Sequence, residues 1–146
     1  MTTDMVQQQV ALRLRVILSL AFRPFFLLGA VFAVVSVLLW LALLHGVGGQ
    51  LPATDPVLWH AHEMLFGFAG AAIAGFLLTA VATWTGRPPV TGSTLGTLVV
   101  AWVAGRVVMA VGQGWPDLAV AIADLTFPVL LAGLAMREIV AGGSRR

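Results

Sequence analysis

The chain has 146 residues, 60% hydrophobic and 10% charged, with a net charge of +2 at pH 7. Soluble domains average about 25% charged residues, so this composition excludes an ordinary soluble fold. All 8 basic residues are arginines, too few and too scattered for a nucleic-acid-binding face. With no cysteine, disulfides, thiolate metal ligands and cysteine nucleophiles are excluded as well.

The first segment, from Val6 to Leu20, mixes Gln and Arg with Val, Leu and Ile. It reads either as a helix lying along the membrane surface or as the frayed start of the first span. Arg13, Arg15 and Arg23 ahead of an apolar run suggest a signal peptide. Yet the run that follows is span-length, not the about 7–15 residues of a signal core, and no small-residue cleavage site follows it.

Four apolar runs come next, each close to the about 20 residues that a bilayer requires. The predicted spans are 25–44, 57–84, 95–112 and 117–136. Glycine and proline punctuate the gaps, with Gly46, Gly48, Gly49, Pro52 and Pro56 after the first. Gly86, Pro88, Pro89 and Gly92 follow the second, and Gly112, Gly114 and Pro116 the third. Pro128 lies inside the fourth and is predicted to kink it. The expected fold is therefore all-α: one polytopic membrane domain over residues 1–146, with four transmembrane helices.

Arginine placement orients these spans. Arg13, Arg15 and Arg23 precede the first, Arg87 separates the second from the third, and Arg137, Arg145 and Arg146 follow the fourth. The loops 45–57 and 112–117 contain no basic residue. By the positive-inside rule both termini are expected in the cytoplasm.

With that orientation the polar groups of the spans collect near the outer face. His45 ends the first span, and His60, His62 and Glu63 open the second. At 1.5 Å per residue, Arg106 lies about 9 Å below Gly112, and Asp124 lies about 10 Å below Asp117. Arg106 and Asp124 can form an interhelical ion pair, the common fate of intramembrane charges. Alternatively, Arg106 can serve as counter-ion to a bound carboxylate. Glu63 also suits the positive end of a helix dipole, and His45 suits the interface.

The string His60–Ala61–His62–Glu63 is the strongest chemical signal. On a helix, residues two apart point about 200° apart, so one metal ion cannot take both imidazoles without distortion. An extended stretch would put both on one face. On a helix His60 shares its face with Glu63, Gly67, Ala71 and Ala74, a small-residue stripe suited to close packing in lipid. That expectation turns His60 and Glu63 into the bundle and His62 into another groove beside Phe66 and Ile73. Imidazole suits zinc, copper and iron, while thioethers such as Met64 favour reduced copper. The candidate metal ligands are thus His60, His62, Glu63 and Met64. The string is not HExxH, the motif of zinc proteases, and no catalytic residue is assigned.

FRPFFLLGA at 22–30, WHAHEMLFGF at 59–68, AAIAGFLLTAV at 71–81 and WTGRPP at 84–89 resemble signature blocks of the NnrS family. The GR at 105–106 fits the same pattern. The resemblance implies a bacterial cytoplasmic-membrane protein containing haem and/or copper and linked to nitric oxide response or tolerance of nitrosative stress. His60 and His62 match the histidines of the HxHEM block and become candidate haem or copper ligands, with Arg106 as a candidate for a haem propionate. Arg23 and Glu63 match motif positions without an assigned role. Members are expected to be about three times longer in spans, so the resemblance covers their N-terminal part. Ala82 and Thr83 stand where members often have Pro-Asn.

The expected partners are the lipid bilayer, nitric oxide, and a second copy or second membrane subunit, with no nucleic acid. The competing reading is a non-enzymatic membrane subunit or truncated paralogue in which the charges and the glycine stripe only pack helices. A relay of protons or ions through Glu63, Arg106 and Asp124 ranks last, because charges confined to one third of the bundle make no through-path.

Overall fold

The computed structural model describes residues 3–46, 55–112 and 114–143. Among these residues six α-helices run in order: α1 Thr3–Ile17, α2 Phe22–Leu44, α3 Pro56–His62, α4 Gly70–Thr85, α5 Gly92–Val111 and α6 Asp117–Gly143. A π-helical turn, Glu63–Ala69, joins α3 to α4, making one rod from Pro56 to Thr85. No strand occurs among the described residues. Four rods, Phe22–Leu44, Pro56–Thr85, Gly92–Val111 and Asp117–Gly143, are long and apolar enough to cross a membrane. The chain is a helical membrane protein.

Local chemistry sets the rod ends. Asp55 caps α3 by accepting from the Val57 amide at 2.7 Å, and Pro56 occupies the first helical turn. Gly86, at φ 64°, ends α4 in the left-handed conformation that glycine adopts without strain. Helix α6 passes through Pro128 and extends to Gly143, past the apolar limit at Met136.

The first segment forms a helix of its own, not the beginning of α2. Arg23 holds the elbow between α1 and α2, its Nη1 donating to the Val16 carbonyl and to Ser19 Oγ, both at 2.9 Å. This gives the arginine of the FRP block a structural task. Val16 lies in the last turn of α1, where a carbonyl has no amide four residues further along the helix, and here it accepts from Ser19 and Arg23 instead. The Gly92 amide then donates to the Leu18 carbonyl at 3.0 Å, fastening the elbow to the start of α5.

Packing follows small residues. Gly29 of α2 faces Ala71 of α4, and a methyl group added at Gly29 would stand 3.2 Å from the Ala71 Cβ. Gly105 sits against the α6 backbone at Ala123 and Asp124. Such close approaches gain dispersion contacts where lipid removes the hydrophobic drive between helices. Phe25, Ala71, Ala74, Leu78, Leu95, Leu98, Trp102, Phe127 and Leu131 fill the centre. Large apolar side chains including Leu27, Leu38, Phe76 and Val100 point outward, as suits a lipid solvent.

Two ends can be told apart by their contacts. Arg87, after α4, reaches Glu138 near the end of α6, and this arginine end also holds the starts of α2 and α5. The other end gathers the second-rod histidines with Arg106 and Asp124.

Candidate functional site

Three rods converge at the histidine end. Glu63 opens the π-helical turn and is wholly buried. From α5, Arg106 donates through Nη1 to Glu63 Oε2 at 2.8 Å. Its Nη2 donates to Asp124 Oδ1 on α6. Gly105, beside the arginine, lies directly against the α6 backbone: a Cβ added there would stand 3.4 Å from the Ala123 carbonyl oxygen and from the Asp124 Cα. Arg106 thus bridges two carboxylates, and both of its terminal nitrogens are engaged.

His62 closes the set from the other side. Its Nδ1 lies 3.2 Å from Glu63 Oε1, and its Nε2 lies 3.1 Å from Asp124 Oδ2. Two carboxylate acceptors on one ring require a donor at each nitrogen, which the imidazolium supplies. Two anions and two cations then sum to zero, the condition for holding charge where desolvation is costly. The ring also stacks on Phe66 at 4.6 Å between centroids.

This arrangement departs from the helical-face expectation, which paired His60 with Glu63 and set His62 apart beside Phe66 and Ile73. His62 does lie on Phe66, but it also joins Glu63, its neighbour in sequence. The physical reason is reach: the imidazole swings alongside its own helix to the next carboxylate. The π-helical turn also begins at Glu63, so a regular 3.6-residue period no longer applies beyond it.

His60 stands outside the network. Its ring stacks on Trp40 of α2, 4.4 Å between centroids and nearly parallel at 12°. Its Nδ1 is buried and has no hydrogen-bond partner among the described residues, and the same holds for Trp40 Nε1 and Arg106 Nε. Buried polar atoms nearly always find partners, so two orphans on one stacked pair mark an unusual place. Met64 is half-buried on the π-helical turn. His45 is exposed just beyond α2.

The remainder of the stripe does face inward: Gly67, Ala71 and Ala74 are buried. Trp102 of α5 donates through Nε1 to the Gly67 carbonyl at 3.0 Å, and Trp59 donates to the Met109 carbonyl at 3.3 Å. These bonds pin the second rod to α5 on both sides of Glu63. Among the described residues, no group of three or more His, Asp or Glu side chains is arranged to hold a metal ion.

Trp40 and Trp102 were not singled out in the sequence. Trp102 has a usable signal, because an indole N–H deep in a lipid-embedded helix needs an acceptor. Trp40 has none, since its contact depends on how α2 crosses α3.

The family model described as NnrS protein matches residues 16–146, and the chain therefore belongs to the NnrS family. No curated protein and no solved structure matches it.

Proposed function

For this member of the NnrS family, we propose a role in the bacterial nitric oxide response in which His60 holds haem iron or copper at the outer end of the bundle. The protein sits in the cytoplasmic membrane with both termini inside, because the arginines border the opposite end from the histidines. The observation that carries the reading is the orphaned Nδ1 of His60. A buried polar atom left unpaired costs about 1–3 kcal/mol, which a ligand bond would offset. Neutral imidazole is a suitable donor for iron and copper, and the stack on Trp40 holds the ring plane. When bound, such a group supplies capture of nitric oxide.

The other sequence candidates divide by their present bonds. His62 spends both nitrogens on carboxylates, so it would have to release one before donating to a metal. Arg106 likewise has both terminal nitrogens on protein carboxylates. We assign His62, Glu63, Arg106 and Asp124 to the scaffold that fixes the rod carrying His60. Met64 is the thioether nearest in sequence for reduced copper. Further donors come from a second copy of the chain, a second membrane subunit or another segment.

A second reading is favoured by the completeness of the ion network: a non-enzymatic membrane subunit whose charges lock helix register. One experiment separates the two. The chain is purified in mild detergent from haem-replete cells, and its absorption spectrum and iron and copper content are measured. A Soret band that shifts with nitric oxide and is lost in His60→Ala supports the first reading. A folded, colourless, metal-free protein supports the second.

A further inference from the structure

At the arginine end two grooves meet, and Thr94 and Arg137 line both. One, of about 580 Å³, runs between α5 and α6 over Leu98, Val129, Leu130 and Leu134. The other, of about 230 Å³, lies beside Arg87, Pro88 and Pro89. The first is an apolar trough, and Val129 and Leu130 are 66% and 41% exposed on its outer rim. Hydroxyls of Ser93, Thr94 and Thr97 border its polar end.

Among the described residues the charge at this junction is unbalanced. Glu138, only 6% exposed, accepts from Arg87 Nε at 2.7 Å and from Arg137 Nε and Nη2 at 3.0 and 2.6 Å. Two guanidinium groups share one carboxylate, which leaves one positive charge. Glu63 and Asp124 are committed to Arg106 at the opposite end. Arg137 stays 64% exposed while paired, so it can meet a second anion.

We propose that this junction is a binding site for a phospholipid with an anionic phosphate headgroup, its phosphate on Arg137 and Thr94 and one acyl chain in the α5–α6 trough. The occupant follows from complementarity: an apolar trough open to the bilayer, ending in hydroxyls and a residual cation, matches a chain that ends in a phosphate. A guanidinium fork suits phosphate oxygens better than an ammonium does. Basic pockets between transmembrane helices recognise anionic headgroups for the same reason. The site lies at the opposite end from His60 and stands whether or not that residue holds a metal.

Gly133 provides a clean probe, because it lines the trough and nothing lies within 4 Å of a Cβ added there. The test is native mass spectrometry of the full chain in detergent, titrated with phosphatidylglycerol or phosphatidylcholine. Wild type is expected to retain phosphatidylglycerol preferentially, and Arg137→Gln to lower that preference about fivefold, the effect of one cation near a headgroup. Gly133→Leu, which fills the trough and favours the helix, is expected to lower retention of both lipids with a melting temperature no lower than that of wild type. Equal retention of the two lipids by wild type overturns the proposal. So does full competition by glycerol phosphate lacking acyl chains, or a wild-type dimer that Gly133→Leu dissociates, which would assign the trough to a second copy.

Discussion

Arg106 and Glu63 stand 43 positions apart in the chain, yet Nη1 of the first lies 2.8 Å from Oε2 of the second with both side chains buried. The same guanidinium reaches Asp124, so one residue of α5 fastens both the second rod and α6. A planar fork presents two donors at once, whereas a single ammonium presents only a point charge. One side chain thus ties the three rods together at a common depth.

Asp124→Leu should therefore be costly. Removing one partner from a buried ion pair leaves an uncompensated charge, at about 3–5 kcal/mol. Thermal unfolding in detergent should show a large loss of melting temperature. Arg106→Lys should recover little of it relative to Arg106→Leu. A melting temperature unchanged in Asp124→Leu would mean that the network contributes nothing to stability.

The two histidines should behave in opposite ways. His62→Ala removes one hydrogen bond from each of two buried carboxylates and should cost about 3–6 kcal/mol at about 1.5–3 per hydrogen bond to a charged group. His60→Ala removes a ring with no polar partner at Nδ1 among the described residues and should cost less, while abolishing any bound haem or copper. Unfolding curves and metal analysis of both variants would show the division.

Gly67→Ala tests the packing behind Glu63. A methyl group at that position would overlap the Phe32 ring, which itself packs edge-on against Trp102 at 5.4 Å. Overpacking of this kind costs about 1–3 kcal/mol. Shortening the neighbour in Gly67→Ala/Phe32→Leu should restore part of the loss. Additive losses in the double variant would show that the clash is elsewhere.

Trp102→Phe isolates one hydrogen bond. The indole Nε1 donates to the Gly67 carbonyl at 3.0 Å in the bundle interior, a bond whose net worth is about 0.5–1.5 kcal/mol. The variant should fold with a melting temperature lowered by a few degrees. Amide hydrogen exchange should rise within Glu63–Ala69, the turn that this bond pins.

Membrane class, the number of rods and their approximate limits were legible in the sequence, because lipid demands long apolar helices and allows few alternatives. The inward stripe of Gly67, Ala71 and Ala74 was legible too, since small residues at helical spacing have one use in a bundle. The motif blocks were enough to identify the family. Tertiary structure alone decided how the polar residues are shared out. Depth along the bilayer brings Glu63, Arg106 and Asp124 to one level, but rotation about each helix axis decides which atoms meet. That rotation depends on the π-helical turn at Glu63 and on the close approach at Gly105, neither of which a regular period encodes. So His62 enters the ion network and His60 stacks on Trp40, a division that follows from helix crossing and not from the spacing of two histidines.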